Sequence, residues 1–248
     1  LDRVQRPLVF FRGADSVRYV SCYTSASTHP MKYTRAHPSP RYVELQSLYR
    51  AMHEQGETFF GIPAQLTFPG KSLGPQVARI KRLIERTGAQ TVLDYGCGKG
   101  LQYEPYALPG ESGAPLRSVI DYWNVEEVVC YDPCYAPYSE LPRGSFDGVI
   151  CTDVLEHCPE DDVSWIVAEL FSFASRIVFA NIACYPATKR LPNGENAHCT
   201  IKPAEWWKEL FDSIAAQHPA LAWEVWTSTL AQGPGGRKFE DHRLGSSE

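Results

Sequence analysis

Long apolar stretches are missing from this sequence of 248 residues. A helix that spans a membrane needs roughly 18 or more consecutive apolar residues, and no run approaches that length. The opening residues also lack the charged, apolar and small-residue order of a secretory signal, and no Asn-x-Ser/Thr glycosylation acceptor occurs. These absences argue against a membrane protein and against secretion, so we expect a cytoplasmic protein without a membrane partner.

An excess of positive charge is missing as well. Asp and Glu total 29 against 24 Lys and Arg, which gives a net charge of −5 and an isoelectric point near 5.8. A protein whose main partner is a phosphate backbone needs a basic face, so a nucleic-acid partner is disfavoured. The eight cysteines include no C-x2-C pair. We interpret them as reduced thiols and expect no metal site.

The order of apolar and turn residues indicates an α/β fold. Strand-like segments cover residues 91–94, 128–132, 146–152, 176–183 and 222–229, and helical ones cover 41–55, 75–88, 160–174 and 203–216. Strands separated by helices imply parallel pairing, with helices on both faces of the sheet. We therefore predict a Rossmann-like, doubly wound, mostly parallel sheet in a single domain, with a helical extension at its N-terminus.

Four segments follow from this pattern. Residues 1–33 are predicted to be an N-terminal extension, disordered or not native, with translation beginning at Met31, or else a native segment of its own. Residues 34–90 are predicted to be a helical segment that covers the sheet or the substrate site. We expect residues 91–232 to form the catalytic core and residues 233–248 to form a C-terminal tail.

The strongest motif is Thr91-Val-Leu-Asp-Tyr-Gly-Cys-Gly-Lys-Gly100, in which a buried strand leads directly into three glycines. Glycines at the carboxyl end of a parallel strand let the backbone approach a ligand closely. The spacing is G-x-G-x-G, whereas the dinucleotide fingerprint requires G-x-G-x-x-G and here has Leu101 at its last position. A phosphate-binding P-loop is excluded because Lys99 lies out of frame.

This motif resembles the first motif of class I S-adenosylmethionine-dependent methyltransferases. The resemblance implies S-adenosylmethionine as the cofactor, bound by Asp94, Tyr95, Gly96, Cys97, Gly98 and Gly100. It also implies that Asp132, followed by Pro133 at the end of the next strand, holds the ribose hydroxyls, although Asp-Pro is a common turn pair as well. Residues 146–157, FDGVICTDVLEH, resemble the fourth-strand motif of the family, which would place Asp153 and Val154 beside the methionine and methyl groups.

Two departures from the family pattern are visible. Prolines and glycines interrupt residues 102–115, where the first helix should follow the glycines, so only residues 118–124 can form a short helix there. The interval between Asp132 and Phe146 leaves little room for a third strand. Tyr135, Tyr138 and Leu141 are therefore only candidates for a wall against the adenine.

Two histidines are candidate catalytic residues. Residues 181–200 form a long polar loop, of the kind that often covers a binding site, and His198 lies in it. His157 follows the fourth-strand motif. Either imidazole could remove a proton from an acceptor, because histidine titrates near working pH. The alternatives are that His157 caps the next helix and that residues 181–200 are a surface loop with a Pro-Asn-Gly turn.

The resemblance implies a methyltransferase that modifies O or N of a polar small molecule or sugar-type acceptor. Two alternatives stay open: a methyltransferase of nucleic-acid bases, and a non-catalytic module that keeps the fold and binds a partner. The residues do not indicate an oligomeric state.

Overall fold

The computed structural model describes residues 31–105, 118–233 and 236–246. Its strands are β1 (Thr91–Tyr95), β2 (Glu127–Tyr131), β3 (Phe146–Thr152), β4 (Ala174–Ala183), β5 (Ala222–Gly233) and β6 (Gly236–Gly245). Its α-helices are α1 (Pro40–Gln55), α2 (Val77–Thr87), α3 (Val119–Trp123), α4 (Glu160–Phe173) and α5 (Ala204–Ala215).

All six strands belong to one sheet in the order β2-β1-β3-β4-β5-β6. The first five strands run parallel, and β6 alone is antiparallel to its neighbour β5. Strand β1 lies between β2 and β3. After β1 the chain therefore forms β2 on one side of it and later forms β3 on its other side. Such a switch point opens a crevice at the carboxyl ends of the strands, where ligands of open α/β sheets bind.

Helices cover both faces of the sheet, as predicted. On one face α4 and α5 bury Phe171 and Trp207 against β3 and β4. On the other face α2 and α3 bury Ile80 and Trp123, and the Trp123 indole donates a hydrogen bond to the Val77 carbonyl at 2.9 Å. The fold class is therefore the predicted Rossmann-like α/β sheet. Among the described helices, none is long and apolar enough to cross a lipid bilayer.

Helix α1 is positioned by contacts with α4 and with the loop after β4. Ser39 is its N-cap, and the Ser39 amide donates a hydrogen bond to the buried Asp162 carboxylate on α4 at 3.0 Å. Leu45 and Met52 pack against Leu191 and Ala197 of the loop. Helix α1 therefore packs against the long polar loop that follows β4.

The two departures noted in the sequence appear in the structure. Helix α3 has a single short turn and begins with a capping box between Ser118 and Asp121. Between β2 and β3 the described chain contains a 3-10 turn at Ala136–Tyr138 and no strand. Residues 1–30 lie outside the described residues, whereas Lys32 and Arg35 form ion pairs with α4.

Residues 233–248 were expected to form a tail, but Gly236–Gly245 make strand β6 instead. Charged residues dominate this stretch, so its alternation of apolar and polar residues is weak. The charges are paired across the sheet: Asp241 accepts from Ser228 at 2.7 Å, and Arg243 donates to Glu224 at 2.8 Å. Charged residues are typical of edge strands, because they discourage pairing with another chain.

Strand β6 should contribute to stability through Leu244, which packs against the buried core beside Val225. We expect Leu244→Ala to lower the free energy of unfolding by about 1–2 kcal/mol, the usual cost of deleting partly buried methylenes. Lys238→Ala, on the exposed part of the same strand, should change it by less than ~0.5 kcal/mol. Urea denaturation measures both values, and equal effects would show that residues 236–246 behave as a tail.

Candidate active site

A cavity of about 500 Å³ lies at the carboxyl edge of the sheet. It is lined by α1, by residues 66–72, and by the loops that follow β1, β2, β3 and β4. The loops meet there because the carboxyl ends of parallel strands share one edge. The volume is in the range of small-molecule and cofactor sites.

Gly96 and Gly98 form one wall of the cavity, and both have backbone conformations that favour glycine. Their φ angles are +86° and +60°. A Cβ at position 96 would lie 2.3 Å from Cγ2 of Val154, and one at position 98 would lie 2.4 Å from the Phe68 carbonyl oxygen. The loop is therefore clamped between the chain after β3 and residues 66–72, and a side chain at either glycine would force these apart.

Asp132 lies beside this loop and lines the cavity. Its carboxylate accepts hydrogen bonds from the Gly98 amide at 3.0 Å and from the Cys134 amide at 2.8 Å. Burial raises the pKa of Asp132 to about 6, and the two amides oppose that shift. Each carboxylate oxygen has a second lone pair, so Asp132 can still accept hydrogen bonds from a ligand. Pro133, which follows it, also lines the cavity.

Asp94 does not line the cavity. It is fully buried at the base of the loop, where Gln102 Nε2 and the Tyr103 hydroxyl donate to its Oδ2 at 3.0 and 2.8 Å. Burial raises the pKa of Asp94 to about 6. The carboxylate supports the glycine loop from beneath in this structure. Gly100 is also away from the cavity, against the ring of Tyr138.

Tyr95 and Cys97, two of the residues predicted to bind the cofactor, line the cavity. Two hydrogen bonds anchor the Tyr95 hydroxyl: it donates to Glu169 at 2.7 Å and accepts from Arg35 at 2.6 Å. This network ties the residues that precede α1 to the end of β1. The Tyr95 ring is thus held in place as part of the cavity wall.

Asp153 and Val154 line the cavity from the loop after β3. Asp153 has a φ angle of +61°, unusual for a residue other than glycine, and its amide donates to the Asn181 carbonyl at 3.0 Å. Strained backbone of this kind persists where surrounding contacts hold it, often at functional sites. The next carboxyl group, that of Glu156, is fully buried. Burial and the nearby Asp153 carboxylate raise the pKa of Glu156 well above its ordinary value.

His157 and His198 are brought together although they come from loops after different strands. Their rings lie edge to face with centroids 4.7 Å apart, and both line the cavity. Nδ1 of His157 lies 3.0 Å from the Ala197 carbonyl oxygen, and Nδ1 of His198 lies 2.6 Å from the Tyr185 carbonyl oxygen. Burial lowers the pKa of His157 to about 4, so this ring is neutral at neutral pH.

Several cavity residues have no signal in the sequence motifs. Tyr49 on α1 bonds to His157, its hydroxyl 2.7 Å from Nδ1. Phe68, Lys71, Tyr185 and Lys189 also line the cavity. Only the Gly/Pro-rich composition before α2 and the length of the loop after β4 mark these segments as irregular. The three candidates for an adenine wall, residues 135, 138 and 141, do not line the cavity.

Comparison with known proteins adds one sequence match. Over 103 residues, 38% of this chain, the sequence is 32% identical to the chloroplastic magnesium protoporphyrin IX methyltransferase of Arabidopsis thaliana. The match covers 32% of the length of that relative, so the chain spans about a third of it. The match confirms the resemblance to S-adenosylmethionine methyltransferases that the motifs indicate. No family model matches the chain.

Among solved structures, the chain is similar to magnesium protoporphyrin IX methyltransferase from Synechocystis PCC 6803, whose structure contains S-adenosylhomocysteine. The sequence identity is 14%, the TM-score is 0.41, and the alignment covers 81% of this chain and 94% of that one.

If Asp132 holds a ribose, ligand affinity should depend on the protonation of its carboxyl group. The pKa of Asp132 in the empty site is raised to about 6, and a ribose hydroxyl donates better to a carboxylate than to a carboxylic acid. We expect affinity for S-adenosylhomocysteine to be constant above about pH 7 and to fall toward tenfold per pH unit below pH 6. Isothermal titration calorimetry between pH 5 and pH 8 measures this dependence.

Asp132→Asn should bind at least ~10-fold more weakly at pH 7.5 and lose this part of the pH dependence, because a charged acceptor is removed. Asp212→Asn, on the exposed side of α5, is the control and should behave as the parent protein. Equal affinity and equal pH dependence in all three proteins would make Asp132 a turn residue only.

Proposed function

We propose that this protein is an S-adenosylmethionine-dependent methyltransferase that modifies an oxygen or nitrogen atom of a polar small molecule. The observation that carries the proposal is that one cavity is lined by a clamped glycine loop, by the Asp132 carboxylate beside that loop, and by two histidines. The sequence match to a methyltransferase supports it.

The residues present suit the cofactor. Gly96 and Gly98 leave the backbone at the cavity wall free of side chains, and Asp132 offers lone pairs for two ribose hydroxyls. Asp153, also on the wall, offers a carboxylate for a cationic group. The bound cofactor would supply an activated methyl group, so the protein's own task is to place the acceptor and to assist loss of its proton.

The acceptor side of the cavity is polar. Lys71, Lys189, Tyr185 and the two histidines line it, and the Lys189 ammonium lies 4.8 Å from the Phe68 ring centroid. Such groups suit a hydroxylated or anionic acceptor, which supports a polar or sugar-type small molecule. The Arabidopsis relative acts, by its name, on magnesium protoporphyrin IX. A cavity of about 500 Å³ that also holds the cofactor favours a smaller acceptor here, or one group of a larger molecule.

We assign deprotonation of the acceptor to the His157–His198 pair. Each Nδ1 points to a backbone carbonyl, which only accepts hydrogen bonds. We therefore assign a proton to Nδ1 of each ring, which leaves Nε2 as the atom that would take the proton of the acceptor. Tyr49 supports this arrangement, because its hydroxyl donates to the same Ala197 carbonyl at 2.7 Å.

The alternatives have less support. A methyltransferase of nucleic-acid bases would need a basic surface for the strand, and the chain is acidic overall. A non-catalytic binding module would have no need of an open cavity with two histidines at its acceptor side. A screen that adds S-adenosylmethionine and polar acceptors and measures S-adenosylhomocysteine separates these functions, since the module would form none.

The glycine loop provides the test of cofactor binding. Gly96→Ala places a Cβ 2.3 Å from Val154, whereas Gly144→Ala has the same kind of φ angle, +87° against +86°, and nothing within 4 Å of its Cβ. Both variants share the backbone cost of a left-handed alanine, ~1–2 kcal/mol. We expect calorimetry to show at least ~10-fold weaker S-adenosylmethionine binding in Gly96→Ala only. Failure of the parent protein to bind the cofactor would overturn the proposal.

Replacing the histidines tests catalysis. His198→Ala and His157→Ala should each lower turnover by ~10²–10⁴ and leave cofactor affinity nearly unchanged, because each removes one Nε2 lone pair from the acceptor side. Single-turnover formation of S-adenosylhomocysteine, with an acceptor found in the screen, measures the rate. Near-parental turnover in both variants would mean that the enzyme works by placement of the acceptor alone.

A further inference from the structure

We propose that Asp153, His157 and His198 bind a divalent transition-metal ion at the acceptor side of the cavity, although the sequence led us to expect no metal site. One ligand atom from each of these residues, two imidazole nitrogens and a carboxylate oxygen, lies within 4.8 Å of the others. In a tetrahedral zinc site, donors about 2.1 Å from the ion are ~3.4 Å apart. Small side-chain rotations would bring the three donor atoms from their present separations to that spacing.

The two imidazoles have the hydrogen-bond partners that are usual for histidines that bind a metal. A histidine that binds a metal through one ring nitrogen usually donates the other N–H to a carbonyl or carboxylate, which fixes the tautomer and the ring plane. His157 and His198 each have Nδ1 on a backbone carbonyl, those of residues 197 and 185. Donation from Nδ1 to a carbonyl would leave Nε2 of each ring to bind an ion, and the two rings lie edge to face with centroids 4.7 Å apart.

Two carboxyl groups lie at the cluster. Asp153 offers a ligand oxygen, and the fully buried Glu156 carboxyl group lies close to it. Oε1 of Glu156 accepts from the Ala183 amide at 2.5 Å, whereas Oε2 has no hydrogen-bond partner. Lys189 also lines the cavity, and it is a single charge on a flexible side chain.

The donor set selects the kind of ion. Imidazole nitrogens with one carboxylate suit zinc, cobalt, iron and nickel, whereas magnesium and calcium prefer oxygen ligands. Three protein ligands leave at least one coordination position open toward the cavity, as in catalytic rather than structural sites. We therefore expect a transition-metal ion that is open to one further oxygen ligand.

The catalytic use of the ion rests on the proposed function, whereas binding of the ion does not. A hydroxyl that coordinates a divalent ion loses its proton at a lower pH, so the histidine pair would promote deprotonation by holding the ion rather than by taking the proton. The proton then passes to solvent. Binding of the ion itself requires neither cofactor nor acceptor, and it can be tested on the protein alone.

Cobalt(II) is the probe, because its visible absorption reports coordination by nitrogen and oxygen. After treatment with a chelator and its removal, the protein is titrated with CoCl2 without cofactor, and zinc is then added as a competitor. We expect one equivalent of cobalt to bind with new visible bands, zinc to displace it, and zinc to raise the melting temperature.

His198→Ala and Asp153→Asn should each weaken cobalt binding at least ~10-fold. Asn suits position 153 because it tolerates the left-handed backbone there, so this variant keeps the test valid if His198→Ala fails to fold. His242→Ala is the control: it removes an exposed histidine on β6 that lies 3.2 Å from the Thr229 hydroxyl and should bind as the parent does.

Absence of cobalt binding at micromolar concentration would overturn the metal site, and so would binding that persists in both cluster variants. Failure of the methyltransferase proposal looks different. In that case the metal site would be present in the spectra, while calorimetry would show no binding of S-adenosylmethionine.

Discussion

The close approach of Gly96 to Val154 is the constraint on which the site depends. There is no space for a Cβ between them, so the chain after β1 and the chain after β3 lie against each other at the edge of the sheet. Parallel pairing of β1 with β3 brings the two strand ends to this edge. The remaining walls are added to that contact: Asp132 by its hydrogen bond to the Gly98 amide, and Phe68 by packing over the loop.

A second feature is the concentration of buried carboxyl groups in the cavity wall and next to it. Asp94, Asp132 and Glu156 are all buried, and burial raises the pKa of each. Burial of acidic groups costs stability unless a partner compensates. Both proposed ligands, a sulfonium cofactor and a divalent metal ion, are positively charged. Binding either one would offset part of that cost at Asp132, which lines the cavity. Asp94 is compensated within the fold by Gln102 and Tyr103.

The sequence was sufficient for the fold class and for most of the motif residues that line the cavity. Alternating strand and helix patterns gave the parallel sheet, because buried strands and amphipathic helices have different periods. The motif residues lie within a few positions of one another, so their neighbours along the chain already indicate a ligand loop. Local patterns failed at β6, because its charged residues Asp241 and Arg243 find their partners on β5, and that pairing is invisible in a single strand.

Only the tertiary structure decided the acceptor side. His157 and His198 are 41 positions apart, and nothing in their local sequence predicts rings 4.7 Å apart with both Nδ1 atoms on backbone carbonyls. Likewise, Asp94 stands in the motif yet lies under the loop, since Gln102 and Tyr103 fold back onto it. The sequence by itself located the five parallel strands to within four residues at each end, because burial patterns are local. Which side chains share a cavity depends on how separate loops pack, and that is a property of the folded chain.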